Sequence, residues 1–146
     1  MNMLATGLAV IAAAVPGTIA VEDGNKPFLI GHAVGVQIYT CNGSTWGPAT
    51  PRANVYGDNG KLLMTHFAGP SWQARDGSRT MASRVDGVTV DPTAIPWLLL
   101  SAAPPAAGAD AGQLAGTTFI QRTATTGGLA PAAAGASPPV VATRWM

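Results

Sequence analysis

The stretch that decides the fold is Ala53–Phe67, ANVYGDNGKLLMTHF. Two apolar segments, Ala53–Tyr56 and Lys61–Phe67, flank the four residues GDNG at positions 57–60. Asn-Gly between two such segments is one of the strongest short-range signals for a β-hairpin, because a type I′ turn needs positive φ at its central residues. The stretch therefore predicts two antiparallel strands joined by a tight turn.

Turn signals recur on both sides of this hairpin. Upstream, Gly35–Thr40 alternates with period two and predicts the clearest strand of the chain, which ends at Cys41 before Asn42–Ser44. Downstream, Asp76-Gly77 and Asp86-Gly87 repeat the turn chemistry ten residues apart. Turns at this spacing indicate an all-β fold, an antiparallel meander that forms a single β-sandwich or barrel-like domain with long loops.

Three more strands follow these turns. The continuous apolar run Ile95–Leu100 predicts a strand buried on both faces, and residues 118–123 predict a second alternating strand. Residues 102–112 have the composition of a loop, the stretch from 130 to 139 has no core-forming pattern, and residues 140–145 predict a final edge strand.

Composition excludes several function classes. The 146 residues carry a formal charge of +1 with only 10% charged residues, and the cations are scattered, so neither a nucleic acid nor an anionic membrane surface is expected as a partner. No glycine-rich phosphate loop is present, so no nucleotide cofactor is expected. Two histidines and one cysteine supply too few ligands for a zinc or copper site, and no metal is predicted.

The N-terminus resembles an export signal. Residues 1–20 contain an apolar run over Leu8–Val15, too short for a membrane span, and small residues at Thr18 and Ala20. We predict cleavage after Ala20, with Ala14 as the alternative, and a secreted, periplasmic or envelope-associated protein without a transmembrane anchor after processing. The predicted organisation is a signal peptide or, alternatively, an N-terminal apolar segment of the mature domain at 1–20, a β-rich domain at 21–131 and an Ala/Pro-rich tail at 132–146.

Candidate functional residues concentrate in the stretch HFAGPSWQARDGS, residues 66–78. Gly69-Pro70 and Asp76-Gly77 are turn chemistry, and the first turn should bring the rings of His66 and Trp72 together. Aromatic residues beside a few polar groups suit carbohydrates and other amphipathic ligands. The candidate ligand-binding residues are Trp46, His66, Trp72 and Arg122, and the candidate catalytic residues are His66, Asp76 and Arg122.

These residues leave three functions open. The first is a module that binds a small molecule or an envelope polysaccharide, the second is a hydrolase-type enzyme that uses His66 with Asp76, and the third is a structural envelope protein without a ligand. No GxSxG elbow supports a serine hydrolase. The sequence does not decide whether the chain is an enzyme.

Six blocks of the sequence, in their order and spacing, resemble one family. They are GVQIYTC (35–41), Trp46, HFAGPSW with DGS (66–72 and 76–78), IPWLLL (95–100), IQRT (120–123) and TGGLAP (126–131). The chain resembles the family catalogued as domain of unknown function 3455, secreted proteins of bacteria and fungi. The resemblance implies an extracellular or envelope-associated domain and carries no agreed activity. Members usually have a second cysteine after the last block, where this chain has AAAG at 132–135.

Overall fold

A computed structural model describes residues 2–5, 15–104, 111–132 and 140–145, the first and last of these ranges by their backbone pairing. Within these ranges the chain forms nine strands and one short 3-10 turn, Gly17–Ile19. The strands are β1 (Asn2–Ala5), β2 (Pro27–Thr40), β3 (Thr50–Tyr56), β4 (Leu62–Phe67), β5 (Ser71–Ala74), β6 (Arg79–Val88), β7 (Trp97–Ala102), β8 (Phe119–Arg122) and β9 (Val140–Trp145).

The strands form a curled antiparallel meander. Strands β2 to β8 pair in chain order, from β2 with β3 to β7 with β8. Strand β1 pairs with both β8 and β2, which joins the two ends of the meander. The first half of β2 pairs with β1, and its second half pairs with β9 along the same edge. The predicted all-β, barrel-like architecture is confirmed.

The inward faces of the strands form the main core. It consists of alanines, larger aliphatic side chains and the indole of Trp72. Val55 and Ile120 are completely buried and Met64 nearly so. The other members include Ala33, Ala53, Ala74, Ala82, Ile95 and Leu114.

A second, smaller core covers the outer face of β7 and β8. Ile19, fully buried in the segment after Val15, packs with Val21 against Leu99 of β7. The side chain of Gln121 on β8 points to the same side, and its Nε2 donates a hydrogen bond to the carbonyl oxygen of Ile19 at 2.7 Å. Because Leu98 and Leu100 face inward while Leu99 faces outward, β7 has packing on both faces, as predicted.

The positions of two predicted turns are confirmed, the type of one of them is wrong, and the third predicted turn does not form. GDNG joins β3 to β4, but of Asn59 and Gly60 only the glycine has positive φ, so the turn is not of type I′. Asp76-Gly77 lies between β5 and β6. Asp86-Gly87, however, lies inside β6, where the register with β7 shifts between Arg84 and Asp86. The shift is a β-bulge at Val85. A glycine inside a strand often marks a bulge, so Asp-Gly is compatible with a bulge as well as with a turn.

Some predicted features fall partly outside the described residues. This holds for the signal-like segment at 1–20, of which 1 and 6–14 lie outside, for the loop at 102–112, of which 105–110 do, and for the tail before β9, of which 133–139 do. The predicted final strand is β9, which pairs with Gly35–Thr40. Among the described residues, no helix is long and apolar enough to span a membrane. The same residues contain no group of three or more His, Cys, Asp or Glu side chains suited to a metal ion.

Candidate functional site

A cavity of about 400 Å³ lies on the inward side of the sheet, next to the main core. This volume is within the usual range for small-molecule pockets. Five polar or aromatic side chains line it: Gln37, His66, Trp72, Arg84 and Arg122. Apolar walls come from Leu98 and Leu100 of β7 and from Ala49 and the prolines at 48, 51 and 70.

Strand register brings His66 and Trp72 together. The two residues are direct cross-strand partners on β4 and β5, which the turn around Gly69-Pro70 connects. Their rings stack with centroids 4.2 Å apart and planes inclined by 13°. The predicted approach of the two rings is therefore confirmed, and the pair forms a flat aromatic wall beside the cavity.

His66 is a neutral group at physiological pH. Only 5% of it is exposed, and its Nδ1 lies 2.9 Å from the carbonyl oxygen of Ser71. Burial lowers the pKa of His66 to about 4, an effect that the Ser71 contact partly offsets and the positive charge of Arg122 reinforces. Since a carbonyl oxygen only accepts hydrogen bonds, Nδ1 carries the proton of the neutral ring. An imidazole with so low a pKa is a weak general base, and its ring contributes an uncharged surface to the cavity.

Arg122 is held by the backbone beside the cavity. It is the cross-strand partner of Leu98, and its Nε and Nη2 donate hydrogen bonds to the carbonyl oxygen of Pro96 at 3.0 and 2.7 Å. Burial lowers its pKa to about 10, Tyr39 partly offsets this, and the positive charge of Arg84 adds to it. The guanidinium is therefore still charged at neutral pH, but in a fixed orientation and a poorly hydrated place.

Tyr39 of β2 is the second polar group near Arg122. Its hydroxyl donates a hydrogen bond to the carbonyl oxygen of Gly128 at 2.6 Å. Burial raises the pKa of Tyr39, and the charge of Arg122 acts in the opposite direction. The glycine pair at 127–128, which the sequence marks as a turn, thus ties this end of the chain to β2.

Arg84 reaches the cavity by the regular alternation of β6, which places it on the same inward face as Ala82. It is the partner of Leu100 on β7, whereas the next paired residue, Asp86, is the partner of Leu99. The extra residue Val85 therefore leaves Arg84 and Gly87 on the side of Leu100 and Leu98. A Cβ on Gly87 would lie 2.7 Å from Nη2 of Arg84, so the glycine makes room for this guanidinium.

The structure separates the other two predicted site residues from the cavity. Asp76 is exposed, and its carboxylate accepts hydrogen bonds from the hydroxyl and N–H of Ser78 and from the N–H of Gln113. These bonds lower the pKa of Asp76, led by the one from the Ser78 hydroxyl. They fix a loop, and neither Asp76 nor Trp46 is among the described residues that line the cavity.

Trp46 lies close by in sequence to two residues that do line the cavity. It forms an isolated β-bridge with Cys41, and the chain then runs on to Pro48 and Ala49. Of the four predicted ligand-binding residues, the structure thus brings together His66, Trp72 and Arg122. It adds Gln37 and Arg84, which sequence reasoning missed. Period-two alternation places Gln37 with Tyr39 on one face of β2 and Arg84 with Ala82 on one face of β6, signals that could have found both residues. Nothing in the sequence marks the bulge that puts Gly87 next to Arg84.

Residues 54–142 match the family model described as protein of unknown function (DUF3455). The chain belongs to the DUF3455 family. The matched region contains four of the five polar or aromatic cavity residues, His66, Trp72, Arg84 and Arg122, while Gln37 lies before it. The family resemblance of the sequence is therefore confirmed. Neither the curated proteins nor the solved structures contain a significant match to this DUF3455 chain.

Proposed function

We propose that this DUF3455 domain binds a small organic molecule in the cavity lined by His66, Trp72 and Arg122. The observation that carries the proposal is the composition of the cavity wall: a stacked aromatic pair and leucines face two guanidinium groups in about 400 Å³. Predominantly apolar walls with a few placed polar groups are typical of small-ligand sites.

The cavity favours a small ligand over an extended polymer. Inward-facing side chains of β4, β5, β7 and β8 form much of its wall, and Arg84 of β6 and Pro48 lie at positions that solvent reaches. A molecule of the usual ligand size, or one end of a longer chain, is what such a volume accommodates. A carbohydrate-like ligand would stack a sugar face on the aromatic wall, since tryptophan presents a broad apolar surface with a polar N–H.

Ligand-observed NMR with a fragment library tests this proposal. Leu98→Trp should fill the cavity and abolish binding of fragments that combine a ring with a polar group, because the added indole occupies their place. Val90→Trp is the matched control, since Val90 is 48% exposed and does not line the cavity. Thermal unfolding verifies that both variants fold.

Two outcomes of this screen would overturn the proposal. One is a wild-type protein that retains no fragment at all, which would favour a structural role without a ligand. The other is a set of fragments that bind wild type and Leu98→Trp equally, which would place binding elsewhere.

We also propose that the chain is exported and that the mature protein begins at Val15. The apolar run before Ala14 supports export, and the alanines at 12 and 14 suit a signal peptidase. Complete burial of Ile19 supports a mature chain that keeps residues 15–20, because cleavage after Ala20 would remove that core side chain. Cell fractionation and intact mass of the exported protein test this. A first residue of Val21, or a protein retained in the cytoplasm, would contradict it.

A further inference from the structure

The cavity carries two like charges that face one space. Arg84 of β6 and Arg122 of β8 both line it, and the single strand β7 separates them. Strands that are separated by one other strand lie about 10 Å apart. Two long arginine side chains on such strands can reach the same space between them. Burial is the main cause of the lowered pKa of Arg122, and the positive charge of Arg84 lowers it further. An anion placed between them would offset their repulsion.

The guanidinium of Arg122 is prepared for a planar anion. Its two hydrogen bonds to the Pro96 carbonyl fix its position, so little side-chain entropy is left to lose on binding. A guanidinium matches the geometry of a carboxylate with two parallel N–H···O bonds, and such charge-assisted bonds are about twice as strong as neutral ones.

The rest of the cavity suits an uncharged, apolar body. Trp72 is 2% exposed and stacks on the neutral His66, and Leu98 and Leu100 lie on β7 between the two arginines. His66 adds no third charge above about pH 5, because burial keeps its pKa near 4. The cavity thus combines two cationic groups with a predominantly apolar wall.

From this geometry we infer that the ligand is a small amphipathic carboxylate whose acid group lies between Arg122 and Arg84 and whose apolar body packs against Trp72 and the β7 leucines. The inference rests on the proposed function and specifies the ligand class of the same cavity. The carboxylate is preferred to a phosphate ester because most of the cavity wall is apolar, and a phosphate ester would bring a second negative charge into it.

Paired probes test the charge directly. Isothermal titration with 3-phenylpropanoate, its uncharged amide 3-phenylpropanamide and phenyl phosphate should give the tightest binding for the carboxylate. We expect about tenfold weaker binding of the amide, the difference between charge-assisted and neutral hydrogen bonds. In Arg84→Gln the carboxylate should lose most of this advantage, while binding of the amide stays within about twofold of wild type.

The control separates local from overall charge. Arg75→Gln removes one positive charge at an exposed position that does not line the cavity, and it should leave both affinities unchanged. Arg84 is itself exposed, so its replacement avoids the folding problem that loss of the anchored Arg122 could create.

The outcomes distinguish the inference from the function on which it rests. Equal binding of amide and carboxylate would overturn the inference and leave the small-ligand function intact. Tighter binding of phenyl phosphate would overturn the choice of carboxylate. Loss of carboxylate binding in Arg75→Gln as large as in Arg84→Gln would show a non-local charge effect and overturn the site. Absence of binding by all three probes and by the fragment library would remove both proposals.

Discussion

At the scale of single residues, His66 shows how a strand position decides chemistry. The sequence places it beside a turn and next to Trp72, which suffices to predict the ring contact. Its neutrality could not be predicted, because it depends on a 5% exposed position and on the nearby charge of Arg122, which comes from a strand more than fifty residues away. Burial lowers the pKa of His66, so this candidate base becomes an uncharged surface of the cavity.

His66 should make folding stability depend on pH. Its folded-state pKa of about 4 is below the usual unfolded value near 6.5, so the unfolded chain binds more protons between these values. The contribution is fully present above pH 6.5 and is lost as the pH falls toward 4, by up to about 3 kcal/mol. Urea unfolding at pH 7, 5.5 and 4.5 measures it.

His66→Gln is the control for this titration, because glutamine keeps a donor for the Ser71 carbonyl and does not titrate. The variant should have a flatter dependence of the unfolding free energy on pH than wild type over the same range. Equal slopes for the two proteins would show that His66 is not the group responsible.

At the scale of elements, the hairpins were the easiest parts to predict and β6 was the hardest. GDNG and Asp76-Gly77 mark the positions of their turns in the residues themselves, so local sequence is sufficient to place them. Asp86-Gly87 has the same turn-favouring residues, but β6 pairs with β7 on both sides of Val85, so the strand continues through them. The difference is set by a neighbouring strand, and it also places Gly87 rather than Asp86 on the cavity side next to Arg84.

The role of the segment before Val21 in the second core could not be predicted from the sequence. An apolar N-terminus indicates export, yet Ile19 packs in the second core and accepts the Gln121 hydrogen bond. We expect Ile19→Asn to lower the free energy of unfolding by about 2–5 kcal/mol, since it removes a fully buried side chain and buries an amide. Chemical denaturation of the protein that begins at Val15 measures the effect.

Thr18→Asn is the matched control, because Thr18 is exposed one position away in the same turn. It should change stability by no more than about 0.5 kcal/mol. If the two variants were equally stable, the segment would not be part of the core, and a mature chain that begins at Val21 would gain support.

At the scale of the whole molecule, β1 closes the sheet. It pairs with Leu29–Gly31 at the start of β2 and with Phe119–Arg122 of β8. In a chain that begins at Val15 these pairings are lost, so hydrogen exchange should be faster in β8 and at the start of β2 than in the full chain. Exchange in the β3–β4 hairpin should be unchanged. A uniform change, or none, would contradict this role for β1.

The fold class follows from the sequence because turn chemistry and period-two alternation are local. The site follows only in part. His66 and Trp72 are neighbours through one hairpin, whereas Arg84 and Arg122 join them only through the pairing of β6, β7 and β8 in the assembled sheet. Asp76 looked like a partner of His66 in the sequence because both lie in one short stretch, and in the structure its carboxylate is bonded to Ser78 and Gln113 instead.

The central claim is that the molecule encloses a small-ligand site at the aromatic pair and the two arginines. The most direct test is a ¹H–¹⁵N NMR titration of the full chain with 3-phenylpropanoate. We predict saturable shifts of the Trp72 indole N–H and the Nε–H groups of Arg122 and Arg84, with the Arg75 Nε–H unmoved. Saturable shifts at Arg75 that leave the signals of Trp72 and Arg122 in place would contradict the claim.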